Sequence, residues 1–358
     1  MARKTLLRTL AWLALIWSAM ASAPADARVI RVGPDGDSLT ISGASHIAKD
    51  GDTVEIAAGT YSGDVTVWLQ RKLTIRAPQG RAILRAAGKH AEGKAIWVIR
   101  YGDFVVENLE FQGTRVPDGN GAGIRLERGK LEVQRCIFVD NQNGILTGND
   151  DQTELSIHSS RFSEAPKQES SHPHLLYTGR IASLLVTDSH FEAGYNGHLI
   201  KSRARKSTLL RNIINDGPRG QASYEVDFPN GGQVLMSGNV LGQSATGANP
   251  VMLAYGAEGR YWTKNHLRVE GNTFFGAGWK PVWAIRVWEQ SFDDSLSVQI
   301  LNNLVAGYGL LYWGNRQASE GNHFVPSFML ANPSRHDFRV PPDSMLRSVW
   351  KNVPGALP

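Results

Sequence analysis

The chain has one cysteine, Cys136, in 358 residues. No internal disulfide can therefore hold it, and folding must rest on buried side chains and backbone hydrogen bonds. Long hydrophobic runs are also missing. The most apolar stretch, residues 10–17, falls well short of the roughly 20 residues that cross a bilayer, which argues against a membrane span. Helical patterning is nearly absent: beyond a short turn around residues 42–48, no segment repeats apolar residues with the helical period between two capping signals, which disfavours an α/β architecture. Charge of one sign is not concentrated either. Lys and Arg number 38 against 33 Asp and Glu, a net charge of +5, and nothing forms the dense basic stripe of a nucleic-acid binder. A spaced His/Cys set is lacking too, and Asp293-Asp294 reads as a loop pair, so calcium is left open and no metal is indicated.

What is present begins with an export signal. Arg3, Lys4 and Arg8 precede the apolar run, and two small-residue patterns follow it, Ala21-Ser22-Ala23 and Ala25-Asp26-Ala27. Cleavage after Ala23 or Ala27 would deliver a periplasmic or secreted protein. A chain of this length would ordinarily divide into two domains, unless it is a repeat in which each unit needs only its neighbours for burial.

A repeat is what the sequence shows. An apolar-alternating run ending in an aromatic or aliphatic residue recurs at 105–111, 131–138, 155–162, 184–191, 209–214, 234–241, 267–274 and 298–304. Phe111, Phe138, Phe162 and Phe191 follow one another at 27, 24 and 29 residues, spacings of coils rather than of helices. A second short strand recurs between them, as at Gly123-Ile124-Arg125-Leu126, His174-Leu175-Leu176-Tyr177 and Ala284-Ile285-Arg286-Val287. Two strands per coil, separated by Gly, Asn and Asp turns, suit like stacked upon like. The expected fold is a single all-β domain, a right-handed parallel β-helix from residue 28 onward. A terminal cap, with Pro341 and Pro342, is expected from about residue 330 to protect the last edge. Asn212, Asn239, Asn272 and Asn303 fall where side-chain amides could form ladders, or where turns simply favour asparagine.

The stretch Lys49-Asp50-Gly51-Asp52-Thr53-Val54-Glu55-Ile56, followed by Gly59-Thr60-Tyr61, resembles the opening coil of the pectate-lyase-like right-handed β-helix proteins. A narrower similarity lies in Asn196-Gly197-His198-Leu199-Ile200-Lys201-Ser202-Arg203, Arg211-Asn212 and Gly238-Asn239, which is similar to the core of alginate and chondroitin lyases of that fold. This resemblance implies that Lys201 abstracts a sugar C5 proton while calcium neutralises the uronate. In place of those enzymes' acidic calcium ligands this chain carries Gly194, Tyr195 and Asn196, and in place of their next-coil arginine it has Glu225-Val226-Asp227.

Stacking in register brings His174, Tyr177, His198, Lys201, Arg203, Glu225 and Asp227 onto three successive coils, since neighbouring coils lie about 4.8 Å apart. Alternation along residues 224–228 should turn Tyr224, Val226 and Phe228 one way and send Glu225 and Asp227 to the groove. Elimination from a uronic acid needs a base, cationic groups for the enolate-like carboxylate and an acid for the departing oxygen. His174, Tyr177, His198, Lys201 and Arg203 are the catalytic candidates, and the like charges of Arg203 and Arg205 would favour the free amine of Lys201. Glu225, Asp227, Tyr255, Arg286 and Trp288 are candidates for substrate binding, within an aromatic-rich region that also holds Tyr261, Trp262, Trp279, Trp283 and Trp313. Two functions compete: an exported monomeric enzyme acting on an acidic polysaccharide, with a lyase ahead of an epimerase or hydrolase, and a non-catalytic polysaccharide-binding protein using the same groove.

Overall fold

The computed structural model describes residues 27–344 apart from 168–171, 278–280, 295, 316, 333–336 and 342. Residues 1–26 of the expected export signal, Trp279 and Pro342 lie outside the described residues. Among those described, the chain winds as a right-handed parallel β-helix whose three sheets hold 12, 10 and 11 strands. One coil runs through Lys130–Gln134, Ile137–Val139 and Asn143–Thr147; the next passes through Asp150–His158, Arg161–Ser163 and His174–Thr178. Every pairing between coils is parallel, and Phe111, Phe138, Phe162 and Phe191 stand in one column with ring centroids 5.1, 4.6 and 4.7 Å apart. Among the described residues, helix is confined to Ile41–Ile47, capped by Thr40, and to two single 3-10 turns. No helix among the described residues is long and apolar enough to cross a membrane.

Each coil has three strands, not the two that the sequence pattern suggests. The long apolar-alternating runs are broken in the middle, because Asn108, Arg135, Asp188, Arg211 and Asn302 take φ values of +50° to +59° and turn the chain from one sheet to the next. Such left-handed residues leave the pattern of side chains nearly unbroken, so the corner is silent in a period-two reading.

A ladder supports these corners. The amide N–H of Cys136 donates to Ser160 Oγ, that of Ser160 to Ser189 Oγ and that of Ser189 to Asn212 Oδ1. Asn212, Asn239, Asn272 and Asn303 then each donate a backbone N–H to the next asparagine's Oδ1 at 2.9 Å, ending on Asn322. Their side-chain amides reach back to carbonyls such as Val186 O and Leu209 O. The asparagines are therefore structural pairs in a buried network rather than generic turn residues. Asn239→Ala strands the Asn212 N–H and the Leu209 carbonyl. It should cost about 3 kcal/mol, read as a lower urea midpoint at unchanged slope. The lone Cys136 joins the same corner stack, where burial pushes its thiol up to about 12.

Candidate functional site

Register on the 10-stranded sheet places Arg125, Leu146, Tyr177, Lys201, Asp227, Ala254, Arg286 and Trp313 in a single row across successive coils. Their chain neighbours Leu176, Ile200, Val226, Leu253 and Ile285 are buried in the core, so alternation turns the row outward. A second outward row begins three residues earlier in each coil. There His174 stacks beside His198 at 4.9 Å between centroids, and His198 beside Tyr224 at 4.9 Å.

The two rows meet in a linked set of polar groups. Lys201 Nζ lies 2.8 Å from Glu258 Oε1 and 3.6 Å from Asp227 Oδ2. Arg203 binds Glu258 Oε2 at 2.6 Å, donates to Asn230 Oδ1 at 2.6 Å, and donates from Nε to the Tyr177 oxygen at 3.1 Å. His198 Nδ1 accepts the Tyr224 amide, so its proton sits on Nε2, 3.4 Å from Asp227 Oδ2. His174 Nδ1 accepts the His198 amide in the same way.

Burial, followed by the Lys201 charge, pulls His198 down to about 3; burial and the neighbouring His198 hold His174 well below its ordinary range. Both imidazoles are neutral at pH 7. Burial also lifts Asp227 to about 7 against the opposing pull of Lys201. Glu258 behaves oppositely: burial raises it, but its hydrogen bonds from Arg203 and Lys201 outweigh that and hold it at about 2. The cleft thus sets two basic side chains beside one ionised carboxylate and one carboxylate poised near neutrality.

His174, Tyr177, His198, Lys201, Arg203 and Asp227 are brought together. Glu225 and Tyr255 are not. Tyr224 keeps the outward row of His174 and His198, and a bend follows it, so Glu225 takes the inward position held by Leu199 and Leu175 one and two coils earlier. Its side chain is fully buried with Gln243 and Asp216 as polar neighbours, neither oxygen meets a donor in hydrogen-bonding geometry, and burial raises it well above the carboxylate range. The simple alternation expected for residues 224–228 fails at that bend. Tyr255 pairs with Phe228 on the inward side; it is fully buried and its hydroxyl donates to Gly232 O at 2.6 Å. Arg286 stays outside with its guanidinium 4.2 Å from the Trp288 ring and 4.0 Å from Trp313. Tyr261 lies half exposed against Arg180, whereas Trp262 uses its indole N–H to hold Arg203 O.

Sequence reading passed over Glu258 and Asn230, and it turned Tyr224 the same way as Val226 and Phe228, whereas Tyr224 lies beside His198 in the outward row. Glu258 sits in the turn after Val251–Tyr255, anchored by its N–H to Pro229 O. The one available signal was its place one coil beyond Asp227, between Gly256 and Gly259, which gives no direction to the side chain. Toward the N-terminal coils the outward row opens into a cavity of about 330 Å³ lined by Lys94, Arg125, Asn149 and Tyr177 among others. Arg125 to Arg286 spans six coil steps, about 29 Å at the usual strand spacing, so the row runs along the solenoid and extends well beyond this cavity.

Among solved structures, the chain is similar to the crystal structure of the pectate lyase Pel9A. The TM-score is 0.58 at 12% identity, covering 92% of this chain and 93% of that one. The fold is the pectate-lyase-like parallel β-helix. A weaker likeness, TM-score 0.40 at 10% identity, is to Geobacillus virus E2 ORF18, over 76% of this chain and 52% of that one. No protein-family model and no curated protein matches the sequence. In this pectate-lyase-like helix the outward face of the 10-stranded sheet carries the polar cluster, while Glu225 is buried on the inward side.

Proposed function

We propose that the cleft binds an anionic polysaccharide and cleaves it by β-elimination, in a protein exported by its N-terminal signal. The observation that carries this reading is the convergence of Tyr177, Lys201 and Asp227 on adjacent rungs of one outward row, with Arg203 bridging to Tyr177. Lys201 and Arg203 bind the sugar carboxylate, and Arg203 keeps the charge that lowers the cost of negative charge developing as the C5 proton leaves. Lys201 first gives its ammonium proton to Asp227; the C5 proton then passes to the freed amine, the C–H electron pair becomes the C4–C5 double bond, and the C4–O bond breaks. Tyr177 protonates the departing oxygen: its own oxygen already accepts from Arg203, which leaves the hydroxyl proton directed into the cleft. Asp227 stands behind Lys201 as the proton acceptor that resets the amine, and His198 holds Asp227 in place.

Two further features support elimination over hydrolysis and over metal assistance. Hydrolysis wants two carboxyl groups flanking the bond; the Glu225–Asp227 pair is broken by the inward turn of Glu225, and the Asp227–Glu258 pair is bridged by Lys201 rather than set on either side of a bond. The donor set around the cation pair does not suit calcium either, because Asp227 is engaged by Lys201 and Glu258 by Lys201 and Arg203 rather than offered together to a cation. Farther along the cleft, Arg286 over Trp288 and Trp313 suits a second acidic sugar, ring face to indole and carboxylate to guanidinium.

The test is incubation with alginate, pectate, glucuronan and glycosaminoglycans, with and without chelator. An unsaturated, ultraviolet-absorbing product should appear with at least one polymer and survive chelation. Tyr177→Phe should lower the rate about 100-fold with little change in KM. Binding without product from any of these polymers would instead favour a non-catalytic carbohydrate-binding role.

A further inference from the structure

We propose that Glu258 is a built-in stand-in for the substrate carboxylate, occupying the carboxylate subsite formed by Lys201 and Arg203 in the free protein. The inference rests on the reading of the cleft as an anionic-sugar site and names the group recognised at its centre.

Glu258 binds as an incoming uronate would. Its Oε1 takes Lys201 Nζ at 2.8 Å and its Oε2 takes Arg203 at 2.6 Å, one oxygen per cation. The two sides of this contact are built differently. Lys201 lies in the strand Ile200–Ser202 and Arg203 directly follows it, with side chains only 11% and 19% exposed, whereas Glu258 reaches them from a turn and is 44% exposed. That turn is bounded by Gly256 and Gly259 at φ +81° and +86°, positions that favour glycine. A half-exposed ion pair contributes little to stability, and Lys201 keeps Asp227 within 3.6 Å when Glu258 is withdrawn. The arrangement is therefore poorly explained as scaffolding. It is well explained as occupancy.

Occupancy has a consequence for specificity. Exchange of one carboxylate for another at the cation pair is nearly neutral, so a lone small acid gains nothing by displacing Glu258. A polymer that also stacks near Arg286 and fills the cleft beside Arg125 gains those contacts in addition. Glu258 then screens out free carboxylates and admits chains, a discrimination achieved by opposing the unwanted ligand.

Calorimetric titration of the full protein with D-glucuronate and D-galacturonate, and with D-glucose as the neutral control, tests this. Glu258→Gln and Glu258→Ala should bind one of the uronates about tenfold or more tightly than the wild type, while glucose binds none of them. A thermal melt of each variant confirms folding, and the paired variants guard against a defect of either one. Unchanged or weaker uronate binding in both folded variants, including no measurable binding, overturns the stand-in role. The proposed chemistry is judged separately. Tighter uronate binding with no cleavage of any acidic polymer leaves Glu258 its role and removes the elimination reading, whereas unsaturated products without an affinity gain do the reverse.

Discussion

Replacement of Lys201 by alanine should lower kcat/KM on the cleaved polymer by about a thousandfold, the range expected when a positioned proton acceptor is lost. The fold should survive. Without the ammonium, Asp227 loses the charge that opposes its burial and remains protonated at neutral pH, so no buried charge is left uncompensated. Lys201→Arg separates the two roles given to the side chain, because guanidinium keeps the cation that binds a carboxylate but cannot serve as a base near pH 7. That variant should hold KM within a few-fold and lose kcat almost as fully as the alanine variant. Retention of kcat by either variant would move the base elsewhere in the cluster, and loss of KM alone would make Lys201 a binding residue.

The second large effect concerns Glu225, which occupies a position held by leucine in the two preceding coils. Burial raises its carboxyl well above the ordinary range, so the folded protein holds a proton there that the unfolded chain releases above pH 4.5. Stability is therefore lost as pH rises, by about 1.4 kcal/mol per unit from this group until its folded value is reached. Asp216 and Asp227, lifted by burial to about 6 and about 7, act with the same sign. His174 and His198 act oppositely. Held neutral in the folded protein, they cost stability as pH falls below about 6.5, so the wild-type profile alone mixes the two sets. The difference between Glu225→Leu and wild type isolates the one group. It should be small at pH 4.5 and grow to about 3 kcal/mol in favour of the leucine variant by pH 7, measured by urea unfolding at a series of pH values. A pH-independent difference would mean that Glu225 is ionised or partnered in the folded protein.

Much of this architecture was legible because solenoid coils repeat their own chemistry. The phenylalanines at 111, 138, 162 and 191 share a role and hence a spacing, and the opening motif around Asp52 became the strands Thr53–Ile56 and Gly59–Ser62. The third strand of each coil stayed hidden, since a single left-handed residue such as Arg135 turns the corner without disturbing the apolar sequence around it. The cluster was partly legible for the same reason: register alone aligns Tyr177 with Lys201 and Asp227. What register cannot supply is the direction of side chains outside regular strand. Glu225 precedes its strand at a bend, and Glu258 lies in a turn, so one was expected in the cleft and is buried, while the other was overlooked and binds both cations. Tyr255 shows the limit of composition as a guide, because an aromatic in an aromatic-rich region proved to be core.

Elimination and hydrolysis differ in whether water enters the product. Digestion of a responsive acidic polymer in heavy-oxygen water, followed by mass spectrometry of the fragments, therefore tests the proposed chemistry most directly. The account predicts unsaturated fragments whose new ends carry no heavy oxygen, formed by the wild type and lost in Lys201→Ala. Heavy oxygen in saturated fragments, or full activity in the Lys201 variant, would contradict it.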